Sequence, residues 1–133
     1  MFSHLTLGIA DLDRARAFYA PLMQRLGLKL RFDAPEAGWI GWEPAGGGRP
    51  LFILTRPFDG QAAQPGNGAM VAFSAPDRAT VDAAHAEALR LGGTDEGAPG
   101  LRPHYHRSYY GAYLRDPDGN KLCIVCHAPV AED

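Results

Sequence analysis

The sequence predicts an α+β fold built from two tandem βαβββ modules, on three observations. The chain is one pattern written twice: residues His4 to Gly27 align with Met70 to Gly93 at a constant offset of 66, setting Asp11 over Asp77, Ala17 over Ala83 and Gly27 over Gly93. A second block aligns at an offset of 70, with Trp39-Ile40-Gly41 over Tyr109-Tyr110-Gly111 and Leu51-Phe52-Ile53-Leu54 over Lys121-Leu122-Cys123-Ile124. Each half also passes from a short run of strand formers to one segment of 3.6-residue period and back to short apolar runs. Finally, 133 residues that are 46% hydrophobic and 21% charged suit one water-soluble domain with its own core.

The elements follow in order. Residues 2–8 form the first strand. Asp11 caps a helix whose apolar stripe is Leu12, Ala15, Phe18, Tyr19, Leu22 and Leu26. Pro21 removes a backbone donor inside it and is expected to kink or break it, and Gly27 ends it. Three shorter strands lie at roughly 28–32, 38–43 and 50–55, separated by turn-formers such as Gly46-Gly47-Gly48, and a run rich in Pro and Gly then reads as a linker. The order repeats with a strand over 69–74 and a helix opening after Asp77, with Val81, Ala84, Ala88 and Leu91 on one face and a stop at Gly92-Gly93. A segment around 101–108, a strand over 109–115, the turn Asp116-Pro117-Asp118-Gly119 and a last strand over 121–126 complete it. The expected organisation is one domain over 1–133, with module one about 1–57, a linker about 58–68 and module two about 69–128.

Composition excludes several roles. A formal net charge of −2 and a pI near 6.2 leave no basic patch for nucleic acid or an anionic membrane. No run approaches the ~20 apolar residues of a membrane span. Met1-Phe2-Ser3-His4 lacks the basic and then apolar regions of an export signal. Cys123 and Cys126 are three apart on one strand and point to opposite faces, so they are expected as free thiols in a reducing cytoplasm.

Two copies of one supersecondary unit pair across a pseudo-twofold axis and bring equivalent positions to a shared cleft. The tandem βαβββ arrangement resembles the vicinal oxygen chelate superfamily, also called the glyoxalase, bleomycin-resistance and extradiol-dioxygenase superfamily. The resemblance runs from Phe2 to His127. It is carried by His4-Leu5-Thr6-Leu7 with Asp11 and Ala17-Phe18-Tyr19, and by the closing run from Tyr113-Leu114-Arg115-Asp116 to Leu122. Residues 97–106 with Tyr109-Tyr110-Gly111 are similar to a common bacterial branch often labelled glyoxalase-like. The resemblance implies a curled mixed sheet around a cleft, a homodimer, and a metal, where present, held by one residue from the first and one from the last strand of each module.

Carried over position by position, those four places are His4, Ile53, Met70 and Cys123. A catalytic zinc site needs about three protein donors plus water, drawn from His, carboxylate or thiolate. His4 qualifies, Cys123 offers a thiolate, Met70 a weak thioether and Ile53 nothing. The carboxylate that would serve as ligand and base in the glyoxalase reaction is missing, and so is the 2-His-1-carboxylate set of an iron dioxygenase. The expected cofactor is therefore none; if an ion binds, His4 with Cys123 would hold it.

Other candidates surround this quartet. His104 and His106, two apart, would share a strand face and could chelate an ion, while Arg102 and Arg107 beside them favour an anion or solvent. Trp39 and Tyr109 occupy equivalent positions and are expected as aromatic walls of the cleft. No catalytic residue is assigned. The leading expectation is a cytoplasmic protein that binds a small organic molecule without the family metal. One rival is a lyase-like isomerase or a thiol transferase with a relocated site among His4, His104, His106 and Cys123. Another is a protein whose cleft has closed over as core.

Overall fold

The structure, a computed structural model, describes residues 1–131. Ten elements follow the expected duplicate order: β1 (His4–Gly8), α1 (Leu12–Arg25), β2 (Lys29–Ala34), β3 (Trp39–Glu43) and β4 (Leu51–Thr55), then β5 (Val71–Ser74), α2 (Arg78–Arg90), β6 (Thr94–Leu101), β7 (Tyr110–Arg115) and β8 (Lys121–Cys126). The strands form two four-stranded mixed sheets of identical plan, ordered β1-β4-β3-β2 and β5-β8-β7-β6, each with one parallel pair. The two offsets of the sequence repeat are visible in the register. Leu5 pairs with Phe52 in one sheet and Val71 with Leu122 in the other, while Ile9 N–H donates to Thr55 O as Ala75 N–H does to Val125 O. Among the described residues no helix is long and apolar enough to cross a membrane.

Both helices start as their sequences require. The Asp11 carboxylate accepts the Arg14 N–H at 3.1 Å and the Asp77 carboxylate accepts the Thr80 N–H at 2.8 Å, each satisfying a donor that the first turn leaves open. The helix ends differ by one residue. Gly27 takes the positive φ after α1, but Gly92 takes it after α2. Gly93 is required for another reason: a Cβ there would lie 2.9 Å from Ala88 O and 3.1 Å from Arg115 O.

Two expectations are corrected. Pro21 does not break α1, which is continuous from Leu12 to Arg25. Phe18, Tyr19, Leu22 and Met23, buried around it, hold the helix on its sheet through the missing backbone bond. The second strand of module two is β6 at Thr94–Leu101, upstream of the expected segment at 101–108. Its polar sequence, with one proline and two glycines, has no strand periodicity. Pairing to β7 makes it a strand, across two register shifts between Asp95 and Gly100. The expected segment is instead a chain of turns, closed by Tyr105 N–H to Arg102 O and Tyr109 N–H to His106 O.

One apolar core joins the modules. Helix α1 packs on β3 and β4, α2 packs on β6, β7 and β8, and the helices touch each other. Phe52 of β4 meets Phe73 of β5 edge to face at 5.0 Å, and Arg25 is ion-paired with Glu87 between the helices. The turn 116–120 is the polar counterpart of this joint. Buried Asp116 accepts the Tyr19 hydroxyl at 2.5 Å, Asn120 Nδ2 donates to Gly8 O at 3.0 Å, and Asp118 accepts both Ala10 N–H and Arg14.

Candidate functional site

Strand alternation divides each sheet into a face under the helices and a face away from them. Ile40, Trp42, Phe52 and Leu54, and in module two Ala112, Leu114, Leu122 and Ile124, belong to the core. Leu51, Ile53, Cys123 and Val125 are also buried, but they lie outside that cluster, on the opposite face. Cys126 belongs to the core, so the two thiols point to opposite faces as expected, and both are free.

The register places the four family positions in two pairs. His4 is opposite Leu51, one diagonal step from Ile53 on the same face of the first sheet. Ala72 is opposite Cys123, and Met70, just before β5, continues the alternation on that face of the second sheet. His4 is exposed and its Nδ1 is 2.9 Å from Ser3 Oγ; Met70 is 44% exposed. As donors the set fits a metal poorly: buried Ile53 offers hydrocarbon and Cys123 a buried thiol. Among the described residues no group of three or more His, Cys, Asp or Glu could hold an ion.

Glycines let aromatic rings lie on these faces. A Cβ at Gly41 would come within 2.6 Å of the Phe32 ring, and one at Gly111 within 2.8 Å of the Tyr109 ring. Trp39 stands beside Phe32 with ring centroids 5.1 Å apart and is 43% exposed. Tyr109 covers more chemistry. Its hydroxyl is 2.8 Å from that of Tyr113 and 3.5 Å from Cys123 Sγ. Burial pushes both phenols and the Cys123 thiol above their ordinary pKa values, so all three are neutral hydrogen-bonding groups at physiological pH. A thiol so placed is a weak nucleophile, because thiolate is the reactive form.

Arg102 completes this face. Its guanidinium donates to Gly100 O at 2.9 Å and Ala98 O at 2.8 Å and lies 5.5 Å from the centre of the Tyr113 ring. Lys121 Nζ lies 5.6 Å from the same ring. The sequence singled out the Gly97–His106 segment and raised Arg102 as an anion ligand without placing it. Lys121 was missed as a site residue, although its place two residues before Cys123 on the expected last strand, and so on the same face, was a usable signal.

His104 and His106 do not share a strand face, since both lie in the turns between β6 and β7. The His104 ring lies against that of Tyr105, tilted by 42° with centroids 4.3 Å apart. His106 Nδ1 accepts the Ser108 N–H at 3.2 Å, so its Nε2 carries the proton and donates to His127 Nδ1 at 2.8 Å. In module one, a groove of about 640 Å³ opens beside Thr6, Gly8 and Thr55 and is bordered by linker residues 57–64. Sequence reading treated that segment as a connector only.

A family model described as Glyoxalase/Bleomycin resistance protein/Dioxygenase superfamily matches residues 1–124. A glyoxalase/bleomycin resistance protein from Albidiferax ferrireducens T118 is 38% identical, with a TM-score of 0.84 over 95% of this chain and 98% of that one. A glyoxalase-related enzyme from Fulvimarina pelagi is 22% identical, with a TM-score of 0.71 over 95% and 87%. A lactoylglutathione lyase from Agrobacterium tumefaciens is 24% identical, with a TM-score of 0.65 over 95% and 92%. These last two likenesses carry the fold alone. No curated protein matches the chain significantly.

Proposed function

The chain belongs to the Glyoxalase/Bleomycin resistance protein/Dioxygenase superfamily, and from that premise we propose that it binds a small organic molecule without the metal of its catalytic relatives. One observation carries this reading: of the four family ligand positions, only His4 is a good donor as it stands. Ile53 is buried hydrocarbon, Met70 is a thioether, and Cys123 is a neutral thiol under Tyr109. Transition-metal sites are defined by donor type and number, and this set supplies too few. Ring-lined faces with a few convergent polar groups are the usual form of a small-molecule site.

Incubation with Zn²⁺, Ni²⁺, Co²⁺ or Fe²⁺ followed by desalting and metal analysis is expected to leave well under one ion per chain, with no turnover of methylglyoxal and glutathione. A stoichiometric ion lost on His4→Ala overturns the reading.

The same proposal includes a second copy of the chain and a cytoplasmic location, which suits two free cysteines. β1 and β5 are edge strands, and on or beside them Phe2, Leu5 and Met70 are 60%, 36% and 44% exposed. Apolar side chains along an unpaired edge favour coverage by another chain. Sedimentation is expected to give a dimer mass, and Leu5→Arg with Met70→Glu to give a monomer; a monomeric wild type refutes the dimer.

A further inference from the structure

We infer that the face of module two holds an anion subsite, in which Arg102 and Lys121 take the negative end of a small aromatic acid beside the Tyr109 and Tyr113 hydroxyls. The inference rests on the small-molecule reading above and names the chemical class of the ligand.

The first argument is that Arg102 is fixed in place. The change of offset from 66 to 70 puts four extra residues between α2 and β7 (70 − 66 = 4), and Arg102 falls in this longer stretch. A Cβ at Gly97 would lie 3.3 Å from Arg102 Nη2, and one at Gly100 would lie 3.1 Å from Nη1. The two glycines therefore clear the space into which the guanidinium folds. Two backbone carbonyls hold it there, and they use only two of its five N–H donors. An arginine with its rotamers already fixed loses little entropy when it binds an anion.

The second argument is charge. Arg115, directly opposite Lys121 in the β7–β8 pair, is engaged by Glu96 at 2.6 Å. Among the described residues neither Arg102 nor Lys121 has a carboxylate partner. Both are half-buried beside one tyrosine ring, so two positive charges share a partly desolvated spot with no counter-charge. Ring quadrupoles offset part of that cost, and a carboxylate or phosphate group would offset far more. The two phenols are neutral and bonded to each other, so one hydroxyl proton is spent between them and the other can donate to the same oxygens.

The third argument concerns the body of the ligand. Tyr105 is 60% exposed and its ring centroid is 4.8 Å from that of Tyr109. This leaves an open aromatic surface next to the charged spot, suited to a flat apolar group attached to the anion.

Titration of ¹⁵N-labelled protein with benzoate, phenyl phosphate and the neutral benzamide tests the inference. The two anions are expected to shift amide signals in β6 and β7 and to bind at least about tenfold more tightly than benzamide, with affinity falling as salt rises. The tighter of the two identifies the anion as carboxylate or phosphate. Arg102→Gln and, separately, Lys121→Gln are each expected to weaken anion binding about tenfold. Arg102→Lys should recover only part of the loss because it lacks the planar fork. Arg90→Gln, on the outer surface of α2, should change nothing. Equal binding of benzamide at this face, or anion binding unaffected by both glutamine variants, overturns the anion subsite and leaves the small-molecule reading standing. If no probe, charged or neutral, perturbs either sheet face, both fall.

Discussion

Asp116→Ala is expected to cost about 3 kcal/mol of folding stability, or roughly 10 °C in melting temperature. The carboxylate accepts four hydrogen bonds: from the Tyr19 hydroxyl at 2.5 Å, from Asn120 Nδ2 at 3.0 Å, and from the backbone N–H groups of Asp118 and Asn120 at 2.9 Å each. Its removal strands the Tyr19 hydroxyl in a core position with no exposure. A buried donor without a partner carries its full desolvation penalty, which exceeds the net worth of the bond. The loss also frees the turn 116–120, which ties module two to β1 and α1. Tyr19→Phe removes one donor and leaves the carboxylate three partners, so it should cost about 1 kcal/mol. Urea unfolding followed by the fluorescence of Trp42, which is buried with its ring 6.3 Å from that of Tyr19, measures both. An Asp116→Ala midpoint equal to that of wild type would show that the joint does not depend on this network.

The triple variant Ile53→Glu, Met70→His, Cys123→Glu should turn the face that lacks donors into a metal site. With His4 retained, the four positions would carry two imidazoles and two carboxylates, the donor set of a catalytic divalent ion. Without metal the variant should be strongly destabilised, because the new carboxylates replace side chains that are 6% and 0% exposed. With Zn²⁺ or Ni²⁺ it should bind one ion per chain and regain about 4 kcal/mol when free metal exceeds Kd a thousandfold. Adding His4→Ala should weaken the ion and the rescue together. Calorimetric melting with and without metal reads the effect. Rescue that ignores His4, or no ion bound at all, would show that the two pairs of positions do not meet in the assembled protein.

Features fixed by short-range chemistry were legible in the sequence. Asp11 and Asp77 announce helix starts because a carboxylate can reach an N–H three residues on, and both do so. The Asp-Pro-Asp-Gly turn was equally plain, with Gly119 at φ 90 and its N–H on Asp116 O. The equivalence of the two halves was legible from the repeat offsets, and aligned residues do pair alike in the two sheets. The grouping of His4 with Ile53 and of Met70 with Cys123 came from the family resemblance. Features fixed by partners distant in sequence were not legible. β6 is a strand because β7 is beside it, not because Thr-Asp-Glu-Gly-Ala-Pro-Gly favours one. Tyr19 and Asp116 are 97 positions apart, and nothing local marks their bond. For Arg102 the glycines were visible but not what they make room for, since that depends on how the guanidinium folds back over β6.

The glycine-supported rings bear on how such a duplicated chain diversifies. Gly41 and Gly111 are equivalent positions, yet the ring resting on the first is the Phe32 phenyl and the ring resting on the second is the Tyr109 phenol. The backbone beneath is the same in both copies, so chemical character is set by whichever ring is laid upon it. One copy can acquire a hydroxyl, or lose one, while the other keeps its hydrocarbon surface and neither ladder of strands is redrawn. Selectivity in this architecture can therefore drift one half at a time.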